Sequence, residues 1–284
     1  MKRFLSVILL LALAVGLYGC GDRPAKRTSQ SSQVSAVSQD SAATSDQATT
    51  DSARKATRDQ VHQTTDPSNP VETHPMAWRI NTDFFKRTLK QRRAELETEE
   101  LLQTPELPTG CESVALTAAL RCLGFTPDKT EIADNYLSYG EDVMWDYVGD
   151  PYDYDGAGVF PPGLTNCANN YLAATQRDKY AAYNTMGVEF ENLLKLIDNG
   201  FPVVLWTTMD YEEPMLGDVA YEYEGEYYYW FEMEHCVLLY GYDLDEGTVM
   251  LNDPMQGTVT MDFLQMKTVY DAIGRLSMTI KTKE

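Results

Sequence analysis

Cys111 offers the first sign of covalent chemistry in this 284-residue sequence. It follows Gly110 and opens a stretch with helical periodicity, so its sulfur should lie at a helix N-terminus. The partial positive charge there favours a thiolate by about 0.3–1 kcal/mol. With a charged partner as well, we expect the pKa of this thiol to be lowered. The alternative is a buried cysteine that only begins a helix.

A histidine and an aspartate on neighbouring predicted strands could complete a catalytic set. His235 is the only histidine after residue 74 and precedes an apolar run, while Asp253 directly follows the next predicted strand. A turn centred near residue 244 makes the two residues directly opposite, with Cβ atoms about 4.5–5.5 Å apart, whereas a turn centred on 245 makes them diagonal neighbours about 7–8 Å apart. Either separation allows a carboxylate–imidazole contact. The alternatives are a structural histidine and a turn-forming aspartate.

These three residues together match a nucleophile, a base and an orienting acid. Gln103 lies eight residues before Cys111 and could donate its amide, together with the Cys111 backbone N–H, to an oxyanion. A solvated loop glutamine is the alternative. A metal site built from Cys111, His235 and Asp253 is less favoured, because it leaves Gln103 without a role. We expect no cofactor and no metal.

The elements that must position these residues fall into two groups. Helical periodicity predicts helices over residues 111–123, 129–137 and 189–198. Apolar runs bounded by turn residues predict strands over residues 203–208, 236–242, 248–252, 257–261 and 276–280. Residues 139–166, rich in Gly, Pro, Tyr and Asp, are interpreted as a long functional loop. Helices followed by an antiparallel sheet indicate one α+β domain over residues 75–284.

The first 20 residues resemble a lipoprotein export signal. Lys2 and Arg3 precede an apolar run that is too short for a stable membrane span. The segment Leu17-Tyr18-Gly19-Cys20 resembles a lipobox, with Cys20 as the lipid acceptor. An ordinary cleaved signal peptide is the alternative. We expect an exported protein anchored to the cell membrane.

Ser, Thr and Gln dominate the segment that follows, and no Phe, Tyr or Trp occurs in residues 21–74. Such a segment cannot bury enough apolar surface to fold, so residues 21–74 are interpreted as a disordered tether. A coil of this length has a root-mean-square span of roughly 40 Å, which would let the domain work some distance from its anchor.

Composition restricts the partners. The net charge of −20 argues against nucleic acid. Residues 196–266 carry 15 Asp or Glu and no Lys or Arg, which suggests cationic substrates or merely a solvated acidic surface. A calcium site from Asp150, Asp153 and Asp155 is a weaker alternative. The five cysteines form no CxxC pair, so structural zinc is not expected. One disulfide among Cys122, Cys167 and Cys236 remains open, as does the oligomeric state.

Three segments resemble one known family. Residues Gln103 to Ser113 look like the active-site segment of the C39-like family of papain-fold cysteine peptidases. Glu234-His235 before an apolar strand resembles its histidine segment, and Leu251 to Pro254 its acidic segment. Weaker matches occur at residues 149–151, 156–162, 199–203 and 274–275.

The resemblance implies a papain-like fold, with N-terminal helices packed on an antiparallel sheet, and a peptide or protein substrate. Carried over, it makes Cys111 the nucleophile, His235 the general base and acid, Asp253 the orienter and Gln103 the oxyanion donor. Transporter-fused relatives cleave double-glycine leaders, but this sequence has no transporter segment or P-loop, so that substrate is not assumed. A cell-wall amide hydrolase and a non-catalytic binding lipoprotein are the alternatives.

Overall fold

The computed structural model describes residues 78–175 and 179–283. The predicted signal segment, Cys20 and the whole predicted tether, residues 21–74, lie outside these ranges. Within them, no helix has the length and apolarity needed to cross a membrane.

The described chain contains a short 3-10 helix, Thr82–Lys86, before the main helices and strands. The helices are α1 Cys111–Cys122, α2 Lys129–Asn135, α3 Pro161–Ala174, α4 Phe190–Ile197 and α5 Phe263–Ala272. The strands are β1 Arg93–Glu95, β2 Tyr180–Asn184, β3 Val203–Thr208, β4 Leu216–Tyr223, β5 Glu226–Phe231, β6 Glu234–Asp243, β7 Thr248–Asp253, β8 Gly257–Asp262 and β9 Ser277–Thr282.

Seven strands form one antiparallel sheet with β6 near its centre. The strand order is β2-β9-β3-β6-β7-β8, and β1 pairs with the end of β6. Strands β4 and β5 form a separate hairpin, which precedes β6 in the chain. The predicted α+β class with an antiparallel sheet is therefore confirmed.

Helices cover both faces of the large sheet. Val204 and Trp206 of β3 belong to the core that includes α1 and α3, whereas Val203 and Leu205 belong to the core that includes α4 and α5. Successive strand side chains point to opposite faces, so a strand covered on both faces is apolar at consecutive positions. This explains why β3 and β6 are buried along their whole length.

The composition of residues 139–166 predicted one long loop, and this prediction is wrong for its last part, where a helix begins. Pro161 and Pro162 occupy the first positions of α3, where a missing N–H costs nothing and a fixed φ suits the helix. The prolines therefore mark a helix start. The helix α5, which interrupts the predicted run of strands, and the strands β1, β2, β4 and β5 were likewise not predicted. The cysteines of the described chain are all free thiols, so no disulfide forms among Cys122, Cys167 and Cys236.

Candidate active site

The turn that delivers Cys111 to α1 is tightly packed. A Cβ on Gly110 would lie 2.9 Å from the Cβ of Leu107 and 3.3 Å from that of Pro151, so this position requires glycine. The hydroxyl of Tyr147 donates to the carbonyl of Thr109 at 2.7 Å and braces the turn from the side. Cys111 is the first residue of α1 and only 5% exposed. Its sulfur therefore lies at a rigid helix N-terminus.

The register between β6 and β7 brings His235 to Asp253. Leu238 pairs with Asn252, and continuing that register places Asp253 opposite Val237. His235 is then a diagonal neighbour of Asp253, as expected for a turn centred on residue 245. Nε2 of His235 lies 2.7 Å from Oδ1 of Asp253.

Asp253 is held as a carboxylate by several donors. The hydroxyl of Tyr211 donates to Oδ2 at 2.5 Å, and the backbone N–H of Met255 donates to Oδ1 at 2.7 Å. Burial opposes ionisation, but the contacts with His235 and Tyr211 outweigh it, so the pKa of Asp253 is lowered. An ionised Asp253 keeps the His235 proton on Nε2. This leaves Nδ1, which is buried and has no hydrogen-bond partner, as the basic nitrogen.

A cleft of about 210 Å³ contains both Cys111 and His235. Gln103 and Glu234 also line it, and its apolar lining includes Met209, Trp230, Phe231 and Met233. Asp253 lies behind His235, away from the cleft and fully buried. The cleft thus combines a thiol and an imidazole with apolar surface that could contact a substrate.

Gln103 connects the segment before Cys111 to the end of β7. Its backbone N–H donates to the carbonyl of Pro254 at 2.8 Å, and its Nε2 donates to the carbonyl of Pro108 at 2.5 Å. The side-chain oxygen is buried without a hydrogen-bond partner. One Nε2 hydrogen is used by Pro108, which leaves a second for another acceptor. All four residues predicted for the site, Gln103, Cys111, His235 and Asp253, are therefore brought together.

Two glutamates beside the thiol were not predicted as part of the site. The Cys111 thiol donates to Oε2 of Glu112 at 3.3 Å, and the backbone N–H of Val159 donates to Oε1 at 2.8 Å. Ligand-type atoms of Cys111, Glu112 and Glu234 all lie within 4.8 Å of one another. The available signal was an acid directly after Cys111 and another directly before His235.

The two glutamates contribute to raising the pKa of the Cys111 thiol, which the sequence predicted to be lowered. Burial raises the pKa of Glu112 to about 7, and burial together with repulsion from Glu112 raises the pKa of Glu234. Burial and then the two carboxyls raise the pKa of Cys111 as well. The lowered thiol pKa, which we expected from the helix N-terminus together with a charged partner, is therefore wrong for this structure.

Three of the acidic residues predicted near a substrate, Glu222, Glu224 and Glu226, do not line the cleft. Glu222, Glu224 and Glu226 are exposed at the turn end of the β4–β5 hairpin, and Glu224 pairs with Arg79. Since a strand rises about 3.3 Å per residue, Glu226 lies roughly 16 Å from the cleft-lining end of β5. No calcium-type cluster of Asp150, Asp153 and Asp155 occurs in the described part of the chain.

Comparison with known proteins identifies one family. The sequence profile of the family described as Peptidase_C39 like matches residues 90–278. No curated protein matches the chain at a significant level.

The chain is also similar to solved structures that are described as peptidases or proteases. A Bacillus anthracis protein assigned as a C39-like peptidase is 26% identical, covers 68% of this chain and 98% of its own, and has a TM-score of 0.56. A double glycine motif protease from an AMS/PCAT transporter, in complex with the leader peptide, is 14% identical over 67% of this chain and 94% of its own, with a TM-score of 0.40. Xylellain, a cysteine protease from Xylella fastidiosa, is 13% identical over 76% and 94%, with a TM-score of 0.39.

The Tyr211 hydroxyl should stabilise the fold through the charged form of Asp253. Because the folded pKa of Asp253 is lowered, this stabilisation is complete above the unfolded value of about 3.9 and is lost as pH falls through the folded pKa. Tyr211→Phe should lower the free energy of unfolding by about 1.5–3 kcal/mol at pH 7 and by progressively less in acid. Urea unfolding across pH measures this, with the exposed Tyr229→Phe as control. An equal loss at every pH would contradict the assignment.

Proposed function

Because the chain belongs to the Peptidase_C39-like family of papain-like cysteine peptidases, we propose that it hydrolyses peptide bonds with Cys111 as nucleophile and His235 as base. The observation that carries this proposal is the unpartnered Nδ1 of His235 in the cleft that also contains Cys111. Asp253 orients the imidazole through Nε2. These contacts and the shared cleft support the proposed roles of the three residues.

Proton transfer begins with a change of partner for the thiol. In the resting structure the thiol donates to Glu112, so it must turn toward Nδ1 of His235 before that nitrogen can accept its proton. The sulfur then attacks the substrate carbonyl carbon. The imidazolium donates its proton to the leaving amine, and a water molecule, deprotonated by His235, hydrolyses the resulting thioester.

Gln103 is the proposed oxyanion donor. Its second Nε2 hydrogen and the backbone N–H of Cys111 would stabilise the negative charge that develops on the carbonyl oxygen. The hydrogen bonds from the Gln103 side chain to Pro108 and from its backbone to Pro254 restrict the movement of this amide. A donor held in place before the reaction needs no reorganisation when the charge develops.

Peptide hydrolysis by single-residue variants tests the assignment. Cys111→Ala should abolish cleavage, and Gln103→Ala should lower kcat by about 10²–10³ with little change in Tm. Gln91→Ala, at an exposed position of the same N-terminal segment, is the matched control. A thiol-reactive peptide inhibitor that mimics a carbonyl should label Cys111 in the wild type.

Other results of these experiments would contradict parts of the proposal. Full turnover in Gln103→Ala would remove that residue from the site. Labelling of Cys111 without cleavage of any peptide would favour the cell-wall amide hydrolase, and no labelling at all would favour a binding protein.

A preference for cationic peptides is a finer part of the proposal. The hairpin acids lie outside the cleft, so they would act through the electrostatic field rather than by contact, and salt would screen them. The kcat/KM ratio for matched Lys- and Glu-containing peptides should exceed one at low salt and approach one above about 0.15 M. Glu222→Lys combined with Glu226→Lys should reduce it. A ratio independent of salt would mean that these acids only keep the protein soluble.

We also propose that a lipid on Cys20 anchors the exported domain, with residues 21–74 as the tether. At least two acyl chains are needed for stable membrane attachment. Cys20→Ser should therefore move the protein from the membrane to the soluble fraction while peptide hydrolysis is retained. Cys122→Ser, which alters a free thiol elsewhere, should leave fractionation unchanged. A Cys20→Ser protein that stays in the membrane fraction would disprove the anchor.

A further inference from the structure

Glu112 and Glu234 form a pair of buried carboxyls beside the nucleophile. Glu112 is fully buried and Glu234 is only 8% exposed. Neither forms an ion pair with a cationic side chain among the residues that the structure describes. Buried carboxyl groups are normally paired or bound to metals, because an uncompensated buried charge is costly. This pair therefore requires an explanation that the proposed reaction does not provide.

Carboxyl oxygens of both glutamates lie close to the Cys111 sulfur. Glu112 uses Oε1 for the backbone N–H of Val159, which leaves Oε2 directed to the Cys111 sulfur at 3.3 Å. Glu234 has a fully buried oxygen, Oε1, with no hydrogen-bond partner. One ligand-type atom from each of the three side chains lies within 4.8 Å of the other two.

We propose that Cys111, Glu112 and Glu234 bind a divalent transition-metal ion, with Zn²⁺ as the best match. Zn–S and Zn–O bonds of about 2.3 and 2.1 Å at a tetrahedral angle separate sulfur from oxygen by roughly 3.6 Å. The observed separation of 3.3 Å is close to this value. Small side-chain rotations would complete the coordination.

The donor set selects the class of metal. A thiolate with two carboxylates suits a borderline-soft ion, whereas Ca²⁺ and Mg²⁺ prefer oxygen ligands throughout. Three protein ligands leave one tetrahedral position for water. The cleft that contains Cys111 and Glu234 supplies an entry path and space for that water.

Metal binding would reversibly inhibit the reaction of Cys111 with a substrate. The thiol and any protonated carboxyl release their protons, the sulfur lone pair enters the metal–sulfur bond, and no electron is transferred. A sulfur bound in this way cannot attack a carbonyl. The inhibition rests on the proposed peptidase function, whereas the binding does not.

Co²⁺ titration of the reduced full-length protein tests the binding directly. The wild type should develop a sulfur-to-cobalt charge-transfer absorption that is absent in Cys111→Ser. Glu234→Gln should weaken binding by at least about tenfold, since even indirect partners of a metal typically contribute 10–100-fold. Glu232→Gln, an exposed acid two residues away, should bind like the wild type.

A second measurement does not depend on a folded variant. Zn²⁺ should protect Cys111 of the wild type from iodoacetamide, while the half-buried Cys122 reacts at an unchanged rate. Equal protection of both thiols, no charge-transfer absorption, or equal binding by Glu234→Gln and Glu232→Gln would each overturn the site.

Activity then separates the two proposals. Zn²⁺ should inhibit peptide hydrolysis, and a chelator should restore it. Cleavage by the metal-free protein that Zn²⁺ does not inhibit would refute the metal site and leave the peptidase intact. Cobalt binding without any cleavage by the metal-free protein would support the site and refute the peptidase.

Discussion

The contact between His235 and Asp253 is the interaction on which the rest of the site depends, and the register of β6 against β7 creates it. Side chains alternate between faces along a strand, so a slip of one residue would send one partner to the opposite face. In the observed register Leu238 pairs with Asn252, which places His235 and Asp253 on the same face. Because β6 also contacts α1, the same strand positions His235 relative to Cys111.

Some features around the Cys111 sulfur favour the thiolate and others favour the neutral thiol, and the stronger effects set the pKa of the thiol. The N-terminus of α1 favours a thiolate by only about 0.3–1 kcal/mol. Burial and the carboxyls of Glu112 and Glu234 act in the other direction and raise the thiol pKa. The resting cysteine is therefore a neutral thiol that donates to Glu112, and any thiolate must arise from a further interaction with His235, a substrate or a metal.

Much of the site could be predicted from the sequence, because the signals are local. The start of α1 follows from the break at Gly110 and the periodicity after it. The β6–β7 hairpin follows from two apolar runs and a short turn, and its geometry limits His235 and Asp253 to opposite or diagonal positions. The place of Gln103 before Cys111 suggested an oxyanion donor, and the resemblance to one family strengthened that assignment. The sequence by itself thus determined the residue types, their order along the chain and the α+β class.

Only the tertiary structure decided which acids surround the thiol. Glu112 and Glu234 lie on different elements, and their approach to each other depends on how α1 packs on the sheet. The support of Asp253 by Tyr211 likewise joins a loop to the end of β7. No periodicity or spacing encodes such contacts, since they arise when distant segments share one core. The electrostatics of Cys111 therefore belong to the packed structure, because burial and nearby charge exist only once the chain has folded.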